Sequence, residues 1–354
     1  MKILGGDKMT EKIGVFIDSF PILHAGHQFC MKYALQEVDK LITIIYDTPN
    51  AKIPLPVRAN WIRQLYPNME VIESWYNLER GDFTLEAQKQ QLDKILNGRK
   101  VTHFYSTESN LEHLCKILGC ENRIIPSIRS KMENATARIR EDSYKNRARI
   151  DPIVYRDLIT NIAFVGAQST GKSTIAEAMA KKYNTNFMFE YGRYHWDVYQ
   201  RDRIETIEQI EEITERHLAM EDERLKTANK YLFTDTCPIV TLRYAYDWHG
   251  KASDRLLEFA KEAEKRYDLF FLCGDDIPYA DTPERDGTEQ RTSFQSQIRS
   301  ELLARKIPYI ELNGTLQQRI KKVEGILDNY EKYTSLGKNI GDFPEKRQST
   351  LEER

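Results

Sequence analysis

Short apolar runs alternate along this chain with stretches whose apolar positions recur at helical spacing. Ile13-Gly14-Val15-Phe16-Ile17 predicts a buried strand, a helix is expected from about His27 to Val38, and Leu41-Ile42-Thr43-Ile44-Ile45-Tyr46 predicts a second strand. Helical sequence around Pro56–Leu65 leads to a strand at Val71-Ile72-Glu73-Ser74. A longer amphipathic helix is expected over about Thr84–Leu96, and Thr102-His103-Phe104-Tyr105-Ser106 closes the series. From Ser127 to Arg149 the texture changes to Arg, Lys, Ser and Asn with few large apolar residues. The apolar pattern resumes at Ile153-Val154-Tyr155 and leads to a strand at Ile162-Ala163-Phe164-Val165. Further strands are expected at Asn186–Glu190, Tyr231–Asp235, Asp268–Cys273 and Pro308–Leu312. A long charged helix should span about Ile204–Asn229, and two more should end near Trp248 and Ala263. Strand alternating with helix implies right-handed βαβ units, and hence an α/β protein with two doubly wound parallel-sheet domains.

Length agrees with that division, since 354 residues exceed one ordinary core. The boundary is expected near residues 150–158, giving domains over 1–150 and 158–333 and a frayed polar tail over 334–354. Hydrophobic residues make up 40% of the chain, which argues against wholesale disorder. The formal net charge of −2 offers no field for gripping nucleic acid or an anionic membrane. No apolar stretch reaches membrane-spanning length and no export signal is evident. Five scattered cysteines without a C-x-x-C pair fit reduced thiols in a cytoplasmic protein. Association into a homo-oligomer is left open.

The chemistry centres on Gly166-Ala167-Gln168-Ser169-Thr170-Gly171-Lys172-Ser173, which matches G-x-x-x-x-G-K-[ST] between a strand and a helix that opens at Thr174. The glycines let main-chain N–H groups turn inward around an anion, and the helix N-terminus adds partial positive charge there. Lys172 can reach the outer phosphates of ATP, and the Ser173 hydroxyl can ligate Mg²⁺. Asp235, ending its strand, is placed for the carboxylate near that Mg²⁺; its other reading is a helix N-cap before Pro238. Glu190 is expected at a strand's carboxyl end beside Arg193, where it can accept a proton from a substrate hydroxyl; its rival is a surface ion pair. Arg285 and Arg291 fall in the polar stretch Gly274–Arg291, where they suit a lid over the phosphates or an ordinary solvated loop. Asn313-Gly314-Thr315 could turn against the adenine. Protein-kinase motifs are absent, so a small-molecule acceptor is expected.

The first half carries His24-Ala25-Gly26-His27, an H-x-G-H directly after a strand and at a helix start. Imidazoles there can donate to phosphate oxygens as an α-phosphate is attacked and pyrophosphate leaves, or can cap the helix. H-x-G-H followed by a phosphate loop with Glu190-Tyr191-Gly192-Arg193 resembles the NadR family over about residues 12–330. Ile139-Arg140-Glu141-Asp142 is similar to the basic motif that ends the family's first domain. That resemblance implies bifunctional NAD salvage. The second domain would phosphorylate nicotinamide riboside to nicotinamide mononucleotide (NMN), and the first, using His24, His27 and Arg140, would join AMP from ATP to NMN. The sequence departs from the family at Pro21 and Ile22, and at Asn134-Ala135-Thr136, where hydroxyls are lost or displaced. An alternative is an active kinase whose first domain senses nucleotide and regulates a partner. Family repressors carry a DNA-binding helical segment in front; about a dozen residues precede the first strand here, so nucleic-acid binding is not expected.

Overall fold

The computed structural model describes residues 11–48, 51–75, 84–105, 112–123, 137–139, 141–199, 204–279 and 288–333. The chain separates into two compact units, residues 1–154 and 155–354. Each contains a five-stranded parallel sheet.

In the first unit the strands are β1 (Ile13–Asp18), β2 (Lys40–Tyr46), β3 (Glu70–Ser74), β4 (His103–Tyr105) and β5 (Glu121–Arg123), in the order β3-β2-β1-β4-β5. Four helices alternate with them: α1 (Ala25–Glu37), α2 (Leu55–Leu65), α3 (Leu85–Leu96) and α4 (Glu112–Leu118). Ile17 pairs with Ile44 and Gly14 with His103. Val15, Ile17, Ile42, Ile44 and Phe104 form a core with Leu92 and Leu96 of α3. Those continuous apolar strands have both faces covered, as parallel sheets require. Pairing runs outward in both directions from β1, so its carboxyl end, where His24 lies, faces the crevice such sheets use for ligands.

α5 (Pro152–Leu158) straddles the division between the units, and the second unit continues with β6 (Thr160–Val165) and α6 (Lys172–Lys182). β7 (Phe187–Met188), α7 (Tyr191–Tyr199), α8 (Ile207–Leu225) and β8 (Tyr231–Asp235) follow. Next come α9 (Pro238–His249), α10 (Asp254–Arg266), β9 (Leu269–Cys273), α11 (Thr288–Ala304), β10 (Ile310–Leu312) and α12 (Leu316–Leu327). The order is β10-β9-β6-β8-β7, with β6 central between β8 and β9. Phe164 stacks between Phe233 and Phe271, with ring centroids 6.2 and 5.5 Å away. α6 and α12 cover that face with Ile175, Met179, Val323 and Leu327. α9, α10 and α11 cover the other, through Val240, Leu256 and Ile298.

Several boundaries differ from the sequence expectation for local reasons. Ile153-Val154-Tyr155 lie in a helix, started by Pro152 with the Asp151 carboxylate accepting from Ile153 N. The strand expected over Asn186–Glu190 is reduced to Phe187–Met188, because it is an edge strand bonded only to β8 before the chain turns into α7. The long helix is bounded by Thr206, whose hydroxyl accepts from Gln209 N in a capping box. α4 and β5 were not anticipated; β5 is three residues, with neither Glu121 nor Asn122 buried. All five cysteines are free. Among the described residues, no helix is long and apolar enough to cross a membrane.

Phe271 is fully buried between the layers of the second unit. Phe271→Ala should destabilise that unit by about 3–5 kcal/mol, read by amide exchange of β6 and β9. A loss below about 1 kcal/mol would contradict this account of the core.

Candidate functional site

The loop from Gly166 to Gly171 leaves β6 at the centre of the second sheet. Gly166 has φ +142, and a Cβ there would stand 2.8 Å from Cys273 O, so glycine is required on conformation and on space. Gly171 is left-handed at φ +82 and forms the N-cap of α6; Ser169 is left-handed at φ +55 without a glycine's freedom. The loop is held from behind. Gln295 on α11 accepts from Ala167 N at 2.7 Å and donates to Cys273 O at 2.8 Å, pinning the loop to β9. Thr170 Oγ1 and Lys172 Nζ both donate to Ala167 O, at 2.8 and 2.9 Å. Arg319 on α12 donates to Thr170 O, Gly274 O, Gly314 O and the Asp276 carboxylate. Gly274 in turn has its Cβ position filled by Asn313. The stretch Asn313-Gly314-Thr315 therefore packs against Gly274 and Asp276, with Gly314 N donating to Asp276 and Thr315 capping α12. Thr174 is the third residue of α6.

Asp235 ends β8, is 1% exposed, and is not a helix cap; that position belongs to Cys237. Burial pushes its carboxyl up to about 6, and Glu190 adds to this; Lys172, a hydrogen bond from Ser173 and Arg193 oppose it. Its Oδ1 has no hydrogen-bond partner. A carboxylate with an orphaned oxygen, bonded to the hydroxyl that opens a phosphate-loop helix, fits a hard divalent cation. Among the described residues no group of three or more His, Cys, Asp or Glu could hold a metal, so the remaining ligands would be phosphate oxygens and water.

Glu190 follows β7 rather than ending it, and with Arg193 lines a cleft that opens to solvent. Its other walls are Gln168, Trp196, Glu205, His217, Thr236, Tyr244 and Trp248. The Gln168 side chain hydrogen-bonds Tyr244, joining the phosphate loop to the cleft wall. Trp196 Nε1 and Thr236 Oγ1, like Asp235 Oδ1, are buried without hydrogen-bond partners, and His217 Nε2 has only the Glu221 carboxylate at 3.8 Å. Buried polar atoms are paired in most folded proteins, so orphans gathered around one cleft mark a surface built for a polar ligand.

Arg291 corrects an expectation. It lies in the first turns of α11 rather than in a loop, is 6% exposed, and donates to Ile277 O and Ser169 O at 3.0 and 3.2 Å. It braces the phosphate loop from the side. Arg285 and Arg140 lie outside the described residues.

In the first unit His24 and His27 meet at the N-terminus of α1. His24 Nδ1 accepts from Gly26 N at 3.1 Å, and His27 Nδ1 accepts from His24 N at 3.3 Å. The rings stack with centroids 3.8 Å apart. Capping thus uses both Nδ1 atoms and assigns the proton of each neutral ring to Nε2. His27 Nε2 lies 3.7 Å from the buried Asp18 carboxylate. Arg58 on α2, fully buried, donates to Ser19 O, Tyr46 O and Ile53 O and pairs with Asp47, tying together the carboxyl ends of β1 and β2.

Sequence reasoning missed Gln295, Arg319, Arg58, Tyr244 and Glu205. For the first three a signal existed: each replaces an apolar residue in a buried helical stripe, as Arg58 does between Leu55, Ala59 and Ile62.

A profile described as an AAA domain matches residues 161–319. Over 331 residues the chain is 25% identical to the trifunctional NAD biosynthesis/regulator protein NadR of Escherichia coli (strain K12), covering 86% of this chain and 80% of that protein. It is similar in structure to a NadR protein in complex with NR, with a TM-score of 0.56 and 18% identity, over 92% of this chain and 97% of that one. A NadR protein in complex with NAD and AMP-PNP matches with the same TM-score and identity, over 90% and 96%. The resemblance read from the motifs and the α/β fold class agree with these likenesses.

The raised Asp235 has a consequence for stability. Its folded pKa of about 6 exceeds the ordinary 3.8, so its contribution is complete below pH 4 and is lost as pH rises through 6. Relative to Asp235→Asn, the wild type should lose roughly 2–3 kcal/mol between pH 4 and 7. Thermal melts of both proteins across that range check it; a Tm difference independent of pH would contradict the buried-carboxylate account.

Proposed function

We propose that this chain is a NAD-salvage transferase, with ATP-dependent phosphorylation of nicotinamide riboside in the second unit and adenylyl transfer to the resulting NMN in the first. One observation carries the kinase assignment. The Ser173–Asp235 pair adjoins a cleft with aromatic walls, the Glu190 carboxylate and unpartnered polar atoms, all on the carboxyl side of one parallel sheet.

In this reading the main-chain N–H groups of Gln168–Thr174 and the Lys172 ammonium stabilise charge on the γ-phosphoryl group of ATP. Ser173 and Asp235 would hold Mg²⁺, which when bound neutralises charge on the phosphate oxygens. Glu190 accepts the proton of the substrate hydroxyl as that oxygen bonds to the γ-phosphorus and the bond to the β-phosphate oxygen breaks, releasing ADP. Arg193 orients the acceptor. Arg285 takes the lid role, whereas Arg291 acts through the loop it braces.

In the first unit the Nε2–H groups of His24 and His27, together with Arg140, bind ATP phosphates. An NMN phosphate oxygen attacks the α-phosphorus, pyrophosphate leaves, and NAD forms. Similarity to NadR over 331 residues necessarily takes in both units, which favours two activities over a purely sensing first unit. Five free thiols suit a reducing cytoplasm.

Incubation with ATP, Mg²⁺ and nicotinamide riboside, with products resolved chromatographically, tests the whole reading: NMN and then NAD should appear. Lys172→Ala should cut riboside phosphorylation by roughly 10²–10³-fold with its melting curve unchanged. His27→Ala should leave NMN accumulating with little NAD. A Lys172→Ala protein of wild-type rate would overturn the assignment of the loop.

A further inference from the structure

The acceptor cleft holds a second carboxylate to which neither the motifs nor the proposed chemistry gives a role. Glu205, just before the cap of α8, is 6% exposed and lines the same cleft as Glu190. Its main-chain carbonyl is bonded to the His249 ring at 2.8 Å, which fixes the segment carrying it. We infer that Glu205 is a specificity residue: with the rings of Trp196, Tyr244 and Trp248, it selects acceptors that carry a permanently cationic aromatic ring over neutral rings of the same shape.

The charges around the cleft support this. Glu190 and Glu205 are both acidic, and Arg193 can balance only one of them. His217 supplies no charge, because full burial pushes its imidazole down to about 4, so it is neutral at pH 7. Tyr244 is half-buried, and desolvation holds its hydroxyl neutral. Lys172 is turned to Ala167 O beside Asp235. One carboxylate is therefore left over in a desolvated, aromatic-walled space. Burial and the neighbouring Glu190 push the Glu205 carboxyl up to about 7, with only its own main-chain N–H opposing. A fixed positive charge in the cleft would relieve that penalty, and aromatic faces add cation–π attraction. A neutral ring would gain the stacking but leave the extra carboxylate uncompensated.

This inference rests on the kinase reading, and the experiment separates the two. Nicotinamide riboside, whose pyridinium is cationic, is compared with its dihydropyridine form, which has nearly the same shape and no ring charge. Phosphorylation of neither by the wild type, with Mg-ATP at pH 8, would sink the kinase reading itself. Wild type should prefer the cation in kcat/KM by on the order of tenfold or more, mostly through KM, a preference equivalent to about 1.4 kcal/mol for each tenfold. Glu205→Gln should erase that preference by losing the cation's advantage, while the neutral acceptor, no longer facing an uncompensated carboxylate, is phosphorylated no more slowly than by the wild type; an unchanged melting curve reports that the variant is folded. Glu205→Asp, which keeps the charge, should keep the preference. For the cation, wild-type kcat/KM should rise with pH through about 7 relative to the neutral acceptor, and Glu205→Gln should abolish that rise. Equal losses for both acceptors in Glu205→Gln would overturn the inference, and would assign Glu205 to a sugar hydroxyl. So would an undiminished preference for the cation.

Discussion

Everything in the second unit depends on keeping a short run of main-chain N–H groups turned inward at the end of β6. A free chain would not hold that shape: it needs left-handed geometry at Ser169 and Gly171 and an unusual φ at Gly166. The cost is offset by hydrogen bonds made behind the loop. Gln295 replaces the partner that Ala167 N would otherwise lack, and Arg319 and Arg291 collect carbonyls that would point into the fold unsatisfied. The loop is thus shaped by the carbonyl ends of its own sheet and by long polar side chains on α11 and α12.

The same construction explains why the cleft lies where it does. β6 sits between β8 and β9, so Asp235 emerges beside the phosphate loop and the turn after β7 brings Glu190 near. Gln168 belongs to the loop and bonds Tyr244 of the acceptor wall. A change in loop shape is therefore felt directly by the group that would lie against the acceptor. Thr236, left-handed at φ +74 with an unpartnered hydroxyl, continues the pattern of local strain at the strand ends that face the cleft. The first unit solves a related problem differently. Its histidines cap α1 through their own Nδ1 atoms, so one bonding pattern both starts the helix and aims the donors.

Much of this was legible in the sequence. Apart from β5, the strands of both sheets fall on the apolar runs, and the strand-loop-helix setting of Gly166–Ser173 forced the placement of Lys172 and Ser173. Asp235 followed from its position at the end of an apolar strand. Shortfalls have physical causes. An edge strand such as β7 pairs on one side only, so its length is set by where the chain must turn and not by its apolar content. Arg291 reads as a lid residue because arginine beside a polar stretch is usually solvated; its burial depends on carbonyls contributed by Ser169 and Ile277, far apart in sequence. Glu205 carries no local mark, because what makes it unusual is the neutrality of His217 and the nearness of Glu190, both products of tertiary packing.

The central claim is that the amides of the loop, preset by Gln295 and the glycines, grip a triphosphate. Amide hydrogen exchange of residues 168–174 with and without Mg-AMP-PNP tests it most directly. The account predicts slowed exchange concentrated at these amides when the nucleotide is present, with β6 and β9 already slow without it. Unchanged exchange at the loop under saturating nucleotide would contradict it.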